Sequence, residues 1–237
     1  IDERAGIITV VEYMPETCWH EIHVWCEDLL NNSGIERWKD FIVDADPPVQ
    51  EWEYIGPELW EDGLHYISNR TIKRINATDE GCILGGSGVQ YIYWKLQRIT
   101  GPDTVITIDE GYVYDGDPED NDPDYGEISV DLTIDEHCDH YFWHQAFDYL
   151  CSKSTFEKQR VRIDKKPPIT NKTIGDPNYD MGFWVTTQTP ITLCAEDQEE
   201  PCAVGVKEIH YRYGYDQDDS GDVEEDEFYP WVIVQDN

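Results

Sequence analysis

The chain has 237 residues and carries 51 Asp and Glu against 17 Lys and Arg, a formal charge of −34. So acidic a surface repels phosphate backbones and anionic lipid, which sets nucleic-acid and membrane-surface roles aside and favours hard cations. Nine Trp and fifteen Tyr, with many Val and Ile, argue for packed β structure rather than disorder, and no apolar run is long enough to span a bilayer.

Strand-like runs follow one another with no helical stripe between them. In chain order they are 7–13, 19–27 and 35–43, then 71–77, 89–96, 104–108, 127–134, 141–150 and 159–163, and finally 189–195, 206–215 and 229–234. Val130, Leu132 and Ile134 alternate with Ser129, Asp131 and Thr133, the mark of a strand buried on one face. Proline cannot donate to a ladder, so Pro47-Pro48 and Pro167-Pro168 predict the starts of edge strands.

Residues 6–48 and 126–168 are one segment written twice, 120 positions apart. Gly6 answers to Gly126, Cys18 to Cys138, His20 to His140, Asp28 to Asp148 and Asp44 to Asp164. Ala77-x-Asp79 recurs as Ala195-x-Asp197, and Gly88-Val89 as Gly205-Val206. Such a period marks one folding unit copied in series. Residues 44–163 make one full unit, whereas 164–237 lacks counterparts of the runs at 127–134, 141–150 and 159–163. Those counterparts stand at the other end, within residues 1–43. The expected fold is therefore all-β: tandem immunoglobulin-like β-sandwiches, the second completed by strands from a neighbouring copy. The chain is either a window of a longer tandem protein or a subunit that lends its first three strands to the next. An incomplete sandwich leaves open edges and an exposed core, which a partner must cover.

The seven cysteines include no CxxC pair, which argues against a zinc ribbon or a thioredoxin motif. Cys82 aligns with Cys202 and Cys18 with Cys138, while Cys194 aligns with Asn76 and Cys26 with Ala146. Joint presence and absence predict Cys82–Cys138 within one domain, with Cys202–Cys18 and Cys194–Cys26 across the junction. Local pairing of Cys18–Cys26, Cys138–Cys151 and Cys194–Cys202 is the alternative. Sequons at Asn31, Asn69, Asn76 and Asn171 predict N-glycans, and with the cysteines they favour an oxidising, extracellular setting.

Residues 216–227, DQDDSGDVEEDE, place Asp216, Asp218, Ser220, Asp222, Glu224 and Glu227 in the oxygen-ligand spacing of an EF-hand loop, with Gly221 at the turn. Strand-like sequence flanks the loop, so calcium would sit on a β-hairpin; a solvated acidic loop is the alternative. A looser acidic run spans 115–124. His137, His140 and His144 would need helical spacing to bind zinc, and in a strand His137 points away from the other two. Because His140 recurs as His20, it reads as a packing or hydrogen-bonding residue. Trp94, Trp143, Trp184 and Trp231 fall in or beside strands and read as core rather than as a sugar-stacking platform. GxSxG, HExxH and a glycine-rich phosphate loop are all missing, so no enzyme is expected.

The strings ATDEGCILGGSGVQYIYW and CAEDQEEPCAVGVKEIHYRY, preceded by VDADPP and IDKKPP, resemble the tandem Ig-like repeats of archaeal and some bacterial surface proteins. The resemblance implies a secreted, modular, non-catalytic protein of the surface-layer, adhesin or filament type, often glycosylated and stiffened by calcium. The expectation is an extracellular structural protein at the cell surface, a repeat segment of a filament, surface layer or stalk whose partners are copies of itself head-to-tail or adjacent repeats. An adhesin or carbohydrate-binding module of a larger secreted protein is the alternative.

Overall fold

The computed structural model describes residues 8–14, 16–81, 86–117, 120, 126–197, 202–218 and 220–235. In chain order the strands are β1 (Cys18–Val24), β2 (Arg37–Val43), β3 (Val49–Ile55), β4 (Glu58–Glu61), β5 (Leu64–Ser68) and β6 (Ile72–Thr78). Then come β7 (Val89–Gly101), β8 (Thr104–Tyr114), β9 (Ile128–Thr133), β10 (Cys138–Asp148) and β11 (Glu157–Asp164). The last six are β12 (Ile169–Ile174), β13 (Asn178–Tyr179), β14 (Trp184–Val185), β15 (Ile191–Glu196), β16 (Glu208–Tyr211) and β17 (Val232–Gln235). Among the described residues a 3-10 turn at Glu225–Glu227 is the single helical element, so no helix is long and apolar enough to cross a membrane. The all-β expectation holds. β3 and β12 begin directly after the two Pro-Pro pairs, as the missing proline N–H groups require.

The chain divides into two compact units. The first comprises Ile1–Glu58, Arg70–Ile134 and His140–Val161. In it β3, β6 and β9 form an antiparallel sheet, and β11, β10, β7 and β8 run side by side in another. Period-2 alternation explains both. On β6 the side chains of Lys73, Ile75 and Ala77 are buried, while Arg74 and Asn76 take the other face. On β10 His140, Phe142, His144, Ala146 and Asp148 are buried in the same alternation. Ile128 and Val130 of β9, Ile92 of β7 and Val113 of β8 complete a core in the manner of a β-sandwich.

The second unit comprises Leu59–Asn69, Asp135–Asp139 and Arg162–Asn237. Its first piece is the β4–β5 hairpin, which turns at Asp62-Gly63 with φ of 51° and 74°, a backbone suited to an Asp-Gly pair. Strand β5 runs parallel to the end of β11, with Tyr66 beside Arg162 and Ile67 beside Ile163. That pairing draws 59–69 into the second unit although it lies inside the expected 44–163 domain. Beyond β11 the described residues of the second unit form paired ribbons: β12–β15, β13–β14 and β16–β17.

The β12–β15 and β16–β17 ribbons copy the β3–β6 and β7–β8 pairs of the first unit. Gln50 pairs with Ala77 and Thr170 with Ala195; Ile92 pairs with Val113 and Ile209 with Val234. The difference is cover. Beside β6 lies β9, and beside β7 lies β10, but among the described residues β15 and β16 have one partner each. Ile191, Leu193, Ile233 and Val234 are accordingly exposed.

Residues 8–43 are the converse case. The β1–β2 hairpin has the turn of the β10–β11 hairpin, down to the Glu27–Ser33 and Phe147–Lys153 bridges. Asn31 and Cys151 both adopt a left-handed backbone, with φ of 63° and 72°. Yet Trp25, Leu29, Ile35 and Trp38 are exposed, and Ile8 and Val10, the counterparts of buried Ile128 and Val130, are 91% and 72% exposed.

The tryptophan expectation needs correction. Trp184 and Trp231 are exposed, and Trp94 and Trp143 only half-buried. Trp143 follows Phe142 and precedes His144, both turned inward, so strand parity sends it to the outer face against Phe156. Trp231 lies beside β17, one of the uncovered ribbons.

Candidate metal centres

Three strand ends of the first unit converge on one point. Asp44 precedes the Pro-Pro pair that starts β3, Asp79 follows β6, and Asp148 ends β10. One carboxylate oxygen from each lies within 4.8 Å of the others. Backbone N–H groups aim all three: Ser87 donates to Asp44 Oδ2 at 2.6 Å, and Gly88 to Asp79 Oδ2 at 2.9 Å. Leu150 and Ser152 donate to Asp148 Oδ1 at 2.8 and 2.7 Å. Asp148 is 1% exposed, and its Oδ2, like Asp79 Oδ1, is buried without a hydrogen-bond partner. Burial pushes the Asp79 carboxyl up, the Gly88 N–H opposes this, and the charges of Asp44 and Asp148 push it further.

Two glycines make the convergence possible. Gly88 and Gly126 have φ of +87° and +91°, and a Cβ on Gly88 would lie 3.0 Å from Gly126 Cα. The sequence carried a signal for this cluster, since each of its acids recurs in the repeat as Asp164, Asp197 and Asp28. Recurrence alone did not say that three distant acids meet.

Of the expected calcium ligands at 216–227, the fold brings together Asp216, Asp218 and Glu227, again with one oxygen each within 4.8 Å. Ser220, Asp222 and Glu224 do not join that group. The Ser220 hydroxyl donates to the Asp222 carbonyl at 3.1 Å, and Ser220 and Gly221 donate their N–H groups to Asp216. Gly221 turns with φ +96°, as the spacing requires. Asp216, Asp218 and Glu227 all accept N–H groups of the loop's own backbone. Most of the 115–124 run lies outside the described residues.

The expected disulfides are corrected. Cys138 is bonded to Cys202, which excludes Cys82–Cys138, Cys202–Cys18 and the local pairs Cys138–Cys151 and Cys194–Cys202. The reason is strand direction. Asp148 sits beside Val89, while His140 sits beside Arg98, so Cys138 is at the opposite end of β10 from the loop that leaves β6 at Asp79. At about 3.3 Å per residue the two ends are roughly 30 Å apart. Cys138 instead reaches the corresponding loop of the following repeat. Cys18 is also disulfide-bonded, and Cys82 lies outside the described residues. Cys26, Cys151 and Cys194 are free and exposed. The counterparts of Cys194 and Cys26 take opposite sides, Asn76 on the outer face of β6 and Ala146 in the core, so the repeat does not set these two thiols facing each other.

Among the sequons, Asn31, Asn69 and Asn171 are exposed, whereas Asn76 is half-buried on β6 and accepts the Ser129 hydroxyl at 2.8 Å. His140 and His144 are buried core groups, and His144 Nδ1 lies 2.9 Å from Gln50 Oε1. Outside the core, Tyr91, Tyr93, Tyr112, Tyr114 and Phe147 share the outer face of β7, β8 and β10, with neighbouring ring centroids 4.7 to 6.2 Å apart. The chain matches no model of a known protein family and no curated protein sequence.

Proposed function

We propose that this chain is an extracellular structural protein, a repeat segment of immunoglobulin-like sandwiches that assembles head-to-tail by strand complementation into a filament, surface layer or stalk. One observation carries the reading. Residues 8–43 have the sequence of the three strands that close the first unit, β1–β2 has the hairpin geometry of β10–β11, and Ile8, Val10, Trp25, Leu29, Ile35 and Trp38 are exposed. The ribbons they would close, β12–β15 and β16–β17, are exposed in turn. An uncovered sheet edge and an uncovered apolar ribbon of matching register are complementary surfaces, and pairing removes both liabilities. Extending the register of β10 on β7 puts Cys26 beside Ile209 and Trp25 beside His210 of the next copy. Disulfides of the Cys138–Cys202 type bind successive repeats covalently, N-glycans occupy Asn31, Asn69 and Asn171, and calcium in the 216–227 loop stiffens the β16–β17 ribbon.

The test is the assembly state of the full chain, by sedimentation and negative-stain microscopy, with and without residues 8–43. Concentration-dependent oligomers that disappear on the deletion support the proposal. A full chain that stays monomeric at every concentration, with the β16 amides exchanging freely, removes it.

The five-ring face of β7, β8 and β10 favours a second reading, an adhesin or carbohydrate-binding module, because flat aromatic faces stack on sugar rings. Retention on a glycan column that Tyr112→Ala abolishes would favour it.

A further inference from the structure

We infer that Asp44, Asp79 and Asp148 hold a hard divalent cation of the calcium class, and that Asp164 and Asp197 form the same half-site, completed by Asp28 of a second copy. The first part stands on one unit alone, whereas the second rests on the strand-complementation reading.

The chemistry comes from the donors. Three carboxylates from three strand ends present oxygens within 4.8 Å of one another, a hard, all-oxygen set suited to calcium. Acid clusters on a surface are common without an ion, but this one is not on the surface. Asp148 is 1% exposed, and its Oδ2 has no donor to replace water. A buried carboxylate oxygen without a partner is costly, and two more carboxylates beside it raise that cost. A divalent cation reverses the sign of both terms.

The site is also preformed. Each carboxylate is aimed by a backbone N–H, from Ser87, Gly88, Leu150 or Ser152, which leaves the remaining oxygens of Asp79 and Asp148 free to face an ion. Gly86 makes the room, because a Cβ there would fall 2.1 Å from Asp79 Oδ1.

The same bonds recur, residue for residue, in the uncovered repeat. Val204 donates to Asp164 Oδ2 at 3.3 Å and Gly205 to Asp197 Oδ2 at 2.7 Å, as Ser87 and Gly88 do in the first site. The third acid is at the other end of the chain. Asp28 Oδ1 accepts from Leu30 and Asn32 at 2.8 and 2.9 Å, the bonds that Asp148 makes with Leu150 and Ser152. Asp28 Oδ2 meanwhile takes the Asn32 side-chain amide at 2.8 Å, where the first site has Ser152. On docking, that amide yields to the ion. Two carboxylates from one copy and one from the next then share a cation, and without it three negative charges meet at the junction. Assembly is thereby made dependent on the ion.

Calcium titration of the full chain, by calorimetry and by terbium luminescence excited through tyrosine, tests both parts in a D216N/E227Q background that silences the 216–227 loop. Dilute chain should bind one ion, and Asp148→Asn should weaken it at least tenfold while keeping the Oδ1 acceptor for Leu150 and Ser152. Asp44→Asn serves as a second variant should that one fail to fold. Assembled chain should bind one ion more, which Asp28→Asn removes while leaving the first intact. Unchanged stoichiometry and affinity in both Asp148→Asn and Asp44→Asn overturn the intact site. Assembly that forms normally without calcium, with no second ion bound, overturns the junction site but not strand complementation. A chain that never assembles removes strand complementation and the junction site together, and the intact site is then decided by Asp148→Asn.

Discussion

Lys73 is the group whose replacement should alter stability most informatively. Its side chain is fully buried, with Nζ 4.0 Å from the Trp52 ring centroid, 4.5 Å from Tyr54 and 5.3 Å from Phe142, donating to Gln159 Oε1 at 2.5 Å. Burial lowers its pKa from 10.5 to about 7, against a smaller opposing pull from Glu157. His144, pushed down to about 3 by burial and by Lys73 itself, is neutral beside it, and burial followed by the charge of Glu58 keeps the Tyr54 hydroxyl protonated. Between pH 7 and 10.5 the unfolded chain therefore holds more protons than the folded one, and stability rises with pH. Each tenfold change in proton affinity is worth about 1.4 kcal/mol, so the full rise is of order 5 kcal/mol. Attraction to the ring faces offsets about 2 kcal/mol of the burial cost. In the repeat the equivalent position is Ile191, so the fold does not require a cation there. Lys73→Met should raise the unfolding free energy near pH 6 by about 3 kcal/mol and flatten the rise between pH 7 and 10.5. Urea unfolding followed by tryptophan fluorescence, at fixed calcium, measures both. A variant less stable than the parent near pH 6, or one with an unaltered slope, refutes the reasoning.

Acid should act through His144, whose folded pKa of about 3 lies below its ordinary 6.5. Stability then falls as pH drops from 6.5 toward 3, and His144→Leu should remove several kcal/mol of that fall in pH-stepped urea unfolding. Gly88→Ala places a Cβ 3.0 Å from Gly126 Cα at φ +87° and should cost roughly 1–3 kcal/mol; a loss below 0.5 kcal/mol, about the scale of an ordinary surface change, would mean that the close approach is not real. Cys138→Ser opens a bridge spanning 64 residues and should destabilise the second unit by about 4 kcal/mol, read as faster amide exchange in the second unit's strands. With Cys26, Cys151 and Cys194 changed to Ser, the pair Trp25→Cys with His210→Cys should give covalent multimers on mild oxidation. Val24→Cys with His210→Cys should not, because a one-residue slip turns the side chain to the other face. Equal yields from the two pairs would rule out the proposed register.

The repeat, the all-β class and the strand starts after each Pro-Pro pair were legible in the sequence, because period-2 burial, copied residues and a missing N–H are local properties. Distances between elements were not. Alignment paired Cys138 with a cysteine of its own unit, but Cys138 is bonded to Cys202, and only the antiparallel register of β10 on β7 revealed that Cys138 lies at the end of β10 away from Asp148. For the same reason Asp44, Asp79 and Asp148 read as three unrelated repeated acids until their strand ends met. Trp143 read as core because it lies in an apolar run, and the parity of β10, fixed by pairing, turned it outward. Sequence determined which segments are copies and which way each strand alternates. Tertiary structure decided which ends meet, since contact between residues far apart in the chain depends on strand order and direction, which no local pattern records.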